Sequence, residues 1–187
     1  MEKLNGADYL LLLFYLPGVT NKYREPITGR TRITKMMFLF REEIFKKLEL
    51  GDLTLESDLP NFEAYHYGPF SKDVHEQLAL FTNIGFLEET LILINNRDES
   101  DLDEDITGLN EDEEEINSDY ISQYKLTDVG AQYVEKKIIQ CLDQKQIDFL
   151  IEFKKRINSI TLNTLLSYVY NKYPKYAEKS RIRNKVK

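Results

Sequence analysis

With 187 residues, 42% of them hydrophobic and 30% charged, the chain has the composition of a folded domain with a real core, which excludes disorder over most of its length. Its one cysteine, Cys141, and its two histidines, His66 and His75, can build neither a disulfide framework nor a multi-ligand zinc site within one chain. The net charge of -7 is unevenly placed: of 32 acidic side chains twelve fall within 98–119, a stretch without Lys or Arg, and the remainder holds 20 acidic against 25 basic residues, a balance of +5 that permits a phosphate-facing surface.

The apolar run 9–16 is too short to span a membrane and lacks a small-residue cleavage site, so a cytoplasmic protein without membrane contact is expected. Positions 7–16, closed by Pro17 and Gly18, are helix or strand by length, and helix is the expectation. The strongest periodic signal follows, with Ile33, Met36, Met37, Phe40, Ile44 and Leu48 at helical spacing, Thr31 as its N-cap and Gly51 as its stop. A short strand over 62–67 and a turn at Gly68-Pro69 come next. Ser71 then caps a helix that points Val74, Leu78 and Phe81 inward and ends at Gly85.

Two strands, 90–94 and 121–126, flank the acidic segment as a hairpin with a long tip. Thr127-Asp128 begins a helix to about Leu142 that buries Val134 and Ile138. Two amphipathic helices complete the chain, one burying Ile147, Leu150, Phe153 and Ile157, the other Leu162, Leu165, Leu166 and Val169 before Pro174.

This order, mainly helical with a small antiparallel sheet, is that of a winged helix-turn-helix with two extra C-terminal helices. The expected division is a winged-helix domain over 1–142 with an acidic wing insertion at 98–119, a helical extension over 143–173 and a basic tail over 174–187. At the residue level GRTRITKMMFLF, HYGPFSKDVHEQLALFTNIGFLEE and YKLTDVGAQYVEK resemble uncharacterised prokaryotic winged-helix proteins related to the Panacea or SocA-type antitoxin domains. The resemblance covers about residues 30 to 140. It implies a fold without catalytic apparatus that serves as a transcriptional regulator or as a toxin-neutralising, protein-binding module.

For double-stranded DNA the exposed face of the Ser71 helix would be the reader, through Ser71, Lys72, His75 and Gln77. Arg30, Arg32 and Lys35 at the start of the second helix, where cations oppose the helix dipole, would hold backbone phosphate. Asp73 and Glu76 leave the reading helix nearly neutral, so a DNA-binding transcriptional regulator is the first expectation and an antitoxin-like or adaptor module that binds a protein partner is the alternative.

The basic tail reads as a nucleic-acid arm, a partner for the acidic wing, or a solubilising end. The acidic segment reads as a solvated tip or as a dock for a basic partner. Its Asp101, Asp103 and Asp105 lack the glycine and glutamate of a calcium loop. No nucleophile elbow or phosphate loop is present, so the expectation is a non-catalytic regulator without cofactor or metal. It is expected to dimerise through its apolar terminal helices.

Overall fold

A computed structural model of the chain describes residues 3–93, 120–184 and 186. The acidic segment 98–119, with the wing tip and calcium-loop readings that fall on it, lies outside the described residues. The first apolar run is the helix α1 (Gly6–Tyr15). Asn5 caps it, accepting from the N–H groups of Ala7 and Asp8 while Asp8 accepts in return from the Asn5 N–H. The helix is enclosed on nearly every side, which is why its apolar residues show no stripe.

The strand β1 (Ile27–Thr28) leads into α2 (Arg30–Leu39) through Gly29. Gly29, not Thr31, holds the cap position, because the chain leaving β1 turns there with φ of 87°, open to glycine without strain. Thr31 is buried in the first turn. α2 passes into a π turn at Phe40–Ile44 and a short α3 (Phe45–Lys47). The predicted stripe is buried or half-buried, but so are Thr34, Lys35, Phe38 and Leu39, so the helix is packed all round. It stops before Gly51: Glu49 takes the left-handed turn at φ 53°, and Leu50 beyond it is fully buried.

The strands β2 (Glu63–Tyr65) and β3 (Gly68–Phe70) form a hairpin, and the turn falls at His66-Tyr67, leaving Gly68-Pro69 within a strand. In a two-stranded ribbon both strands are edges, so the missing Pro69 N–H does not disrupt the pairing. Gly68 lies so close to the Tyr170 ring that a Cβ there would come within 2.6 Å of it.

Ser71 caps α4 (Lys72–Asn83), which buries Val74, Leu78 and Phe81 as its spacing predicts, and Gly85 leaves it at φ 75°. β4 (Leu87–Leu93), starting three residues before the predicted strand, pairs antiparallel with β5 (Tyr120–Leu126) from Leu87↔Leu126 to Leu93↔Tyr120. β1 returns on the far side of β5, for a sheet order β1-β5-β4.

Thr127 caps α5 (Asp128–Tyr133), which continues through a π turn, Val134–Ile138. α6 (Gln144–Ser159) starts from a capping box of Asp143 and Gln146, and α7 (Leu162–Lys172) from Thr161. The fold is mixed α+β, dominated by helix, and among the described residues no helix is long and apolar enough to cross a membrane.

One apolar cluster joins residues from α1, α2, α4, α6 and α7 with Ala177, Ile182 and Val186 of the basic tail. The inward stripes of α6 and α7, from which pairing with a second subunit was expected, pack within the chain's own core. The tail packs on the body, and the Arg181 N–H bonds the His66 carbonyl at 2.9 Å.

Lys154 lies wholly inside, on the inner face of α6, where its ammonium donates to the carbonyls of Leu16 at 2.6 Å and Glu25 at 2.8 Å. Burial pushes its pKa down to about 7, against the opposing pull of Glu25. Between that value and the ordinary 10.5 the unfolded chain holds a proton that the folded chain has lost, so stability rises with pH across this window. Thermal unfolding should show a midpoint that climbs from pH 7 to pH 9, by up to about 1.4 kcal/mol of stability per pH unit, and Lys154→Met should flatten the climb.

Candidate binding surface

The basic residues at the start of α2 all find partners within the protein, Lys35 wholly buried and Arg30 and Arg32 partly so. Arg30 donates from Nε to the Tyr124 hydroxyl at 2.6 Å and from Nη2 to Glu89 at 3.0 Å, and the Tyr124 hydroxyl itself donates to Glu89 at 2.8 Å. Burial raises the Tyr124 phenol to about 12. It works the same way on the Glu89 carboxyl, but donors from Ser122, Tyr124 and Arg30 outweigh it and hold that group below its ordinary range.

Arg32 donates from Nη1 to the carbonyls of Ile157 and Ile160 at 2.6 and 2.8 Å, satisfying acceptors that the end of α6 leaves open. Lys35 is wholly buried and donates to the Pro69 carbonyl at 2.9 Å. Arg24, just before β1, pairs with Asp128. Of the three residues expected to hold phosphate, Lys35 is wholly buried and cannot reach one, while Arg30, its side chain 42% exposed, and Arg32 are engaged by partners within the fold.

On α4, Ser71 is buried, and its hydroxyl accepts from the Val74 N–H at 3.3 Å as a cap. His75 is half-buried, edge-on to Phe70 with ring centroids 4.8 Å apart and its Nε2 3.3 Å from the Thr34 hydroxyl. Gln77 is half-buried too, with its Oε1 enclosed and without a hydrogen-bond partner among the described residues. Lys72 is the most exposed of the seven expected contact residues, and it lies 3.3 Å from Glu76.

What α4 shows to solvent is different from the expected reader. Leu80 is 53% exposed and Ile84 50% exposed, one turn apart on the same face. Beside them a depression of about 360 Å³ opens between α4 and the 57–61 segment, lined by Asp58, Asp73, Glu76, Gln77 and Leu80 and by no basic residue. Asp73 is fixed there by accepting from the Asn61 N–H at 2.8 Å. The sequence carried a signal for this patch: Leu80 and Ile84 are spaced i, i+4 but fall off the Val74–Leu78–Phe81 stripe, so they cannot share its burial.

Among the described residues no cluster of His, Cys, Asp and Glu is arranged to hold a metal ion. Compared with family models, with curated proteins and with solved structures, the chain matches none.

The inward placement of Lys35 has a measurable consequence. Lys35→Ala should cost about 2–4 kcal/mol in urea unfolding, through the cavity and the unsatisfied Pro69 carbonyl, whereas Lys72→Ala should stay within about 0.5 kcal/mol of the parent.

Proposed function

We propose that the chain is a non-catalytic winged-helix module that binds a protein partner through the exposed face of α4, in the manner of an antitoxin-like or adaptor domain. The order α1, β1, α2, α4, β4, β5, with β1 pairing beside β5, supports the winged-helix reading. The observation that carries the binding mode is the composition of the α4 face: an apolar pair, Leu80 and Ile84, beside a depression lined by Asp58, Asp73 and Glu76 and by no basic residue.

A face of this kind repels a phosphate backbone, for which affinity depends on concentrated positive charge. It suits a protein interface, where an apolar centre is desolvated and a polar rim sets the register. The DNA-binding regulator was the leading expectation and relied on Arg30, Arg32 and Lys35, which are committed to Glu89, Tyr124 and backbone carbonyls. Duplex binding is thus the weaker reading.

The test is quantitative affinity capture from cells that express the protein at its native level. A stoichiometric partner should be recovered with the parent chain and with Lys72→Glu, and lost with the pair Leu80→Asp and Ile84→Asp, while all variants keep the parent's circular dichroism. Equal recovery with the aspartate pair would overturn the assignment of α4 as the docking face.

A further inference from the structure

A second groove, of about 720 Å³ and sharing no lining residue with the α4 depression, is walled by α3 with its π turn, by α6 and by α7. Its floor is apolar and buried, built from Leu39, Ile44, Phe153, Ile157 and Leu165. This volume lies within the range of pockets that enclose small molecules. The π turn at Phe40–Ile44 shapes one wall, and such turns inside helices recur at functional sites because the extra residue re-aims side chains at the cost of regular hydrogen bonding.

Two polar contacts line the groove. Glu43 accepts from the hydroxyls of Tyr168 at 2.9 Å and Tyr173 at 3.1 Å and from the Lys172 ammonium at 3.0 Å. One turn further on, the Lys47 ammonium sits 4.7 Å from the centre of the Phe149 ring. Of the groove's remaining charges, Glu152 pairs with Lys155 at 2.9 Å.

What is left unengaged decides the ligand's charge. Glu43 and Glu152 are matched by cations, and Lys47 keeps its N–H donors, since a ring face takes none of them strongly. Arg156 and Glu42 make no side-chain hydrogen bond or ion pair among the described residues. The available groups are therefore two cations against one carboxylate above an apolar floor. We propose that this groove binds an apolar carboxylic acid, its hydrocarbon body on the Phe153–Leu165 floor and its carboxylate held by the Arg156 guanidinium. A guanidinium fork suits this task because it meets both carboxylate oxygens at once. The site is independent of α4 and does not rest on the protein-binding reading.

The probe is 1-anilinonaphthalene-8-sulfonate, an apolar anion whose fluorescence rises on burial, competed with decanoate, 2-naphthoate, decanol and decylamine. Saturable, one-to-one binding is expected, with displacement by either carboxylate and at least tenfold weaker displacement by decylamine. Displacement by decanoate but not naphthoate would indicate a flexible chain, and the reverse a planar ring. Arg156→Glu should weaken the displacing carboxylate at least tenfold and leave decanol unchanged, while Leu80→Asp on α4 should change neither. Equal competition by the amine, no saturable binding, or an Arg156→Glu variant that retains parental carboxylate affinity would overturn the proposal.

Discussion

A cation removed from water must find acceptors or lose its proton, and this fold is organised around cations that find theirs on the backbone. Lys35 reaches from the enclosed helix α2 to Pro69 in the β2–β3 hairpin. Arg32 reaches from the same helix to the end of α6. Lys154, which burial also brings close to losing its proton near pH 7, reaches back from α6 to the carbonyls that follow α1 and precede β1. These contacts tie segments far apart in sequence to one another through fixed donor geometry. Apolar packing supplies the bulk of the driving force, and the cations specify how the packed elements are aligned.

The same constraint determines what the surface can do. Arg30, Arg32 and Lys35 are engaged by partners within the fold, and the depression beside α4 is lined by Asp58, Asp73 and Glu76 and by no basic residue. The exposed apolar side chains of α4, Leu80 and Ile84, stand beside it. In the groove of α3, α6 and α7, Glu43 and Glu152 are matched by cations, which leaves Arg156 and Lys47 against Glu42.

How much of this was legible in the sequence depends on how each element is exposed. α4 could be read closely, since one face is buried and the other wet, so Val74, Leu78 and Phe81 keep the helical period and Ser71 marks the start. α1 and α2 are enclosed, and an enclosed helix loses its period: Phe38 and Leu39 blur the stripe that Ile33, Met36 and Met37 begin. That blurring was itself the clue that Lys35 could not reach solvent. The Gly68-Pro69 pair is a common turn signal, and it misled because Gly68 serves a close approach to Tyr170 rather than a reversal. The destination of α6 and α7 was beyond reach, since amphipathic helices bury an apolar face equally well against their own chain or a second one. The acceptors of Arg30 and Arg32 were equally hidden, being set by tertiary contacts across about 60 to 130 residues.

On the proposed reading, the basic residues near the start of α2 hold the fold and do not grip phosphate. Binding of the intact chain to a labelled random duplex across a series of salt concentrations tests it most directly. The account predicts negligible affinity at physiological salt, with no steep dependence on salt at lower concentrations. Tight binding whose logarithm falls steeply with the logarithm of salt, and which weakens further with Arg32→Gln at unchanged fold, would contradict it.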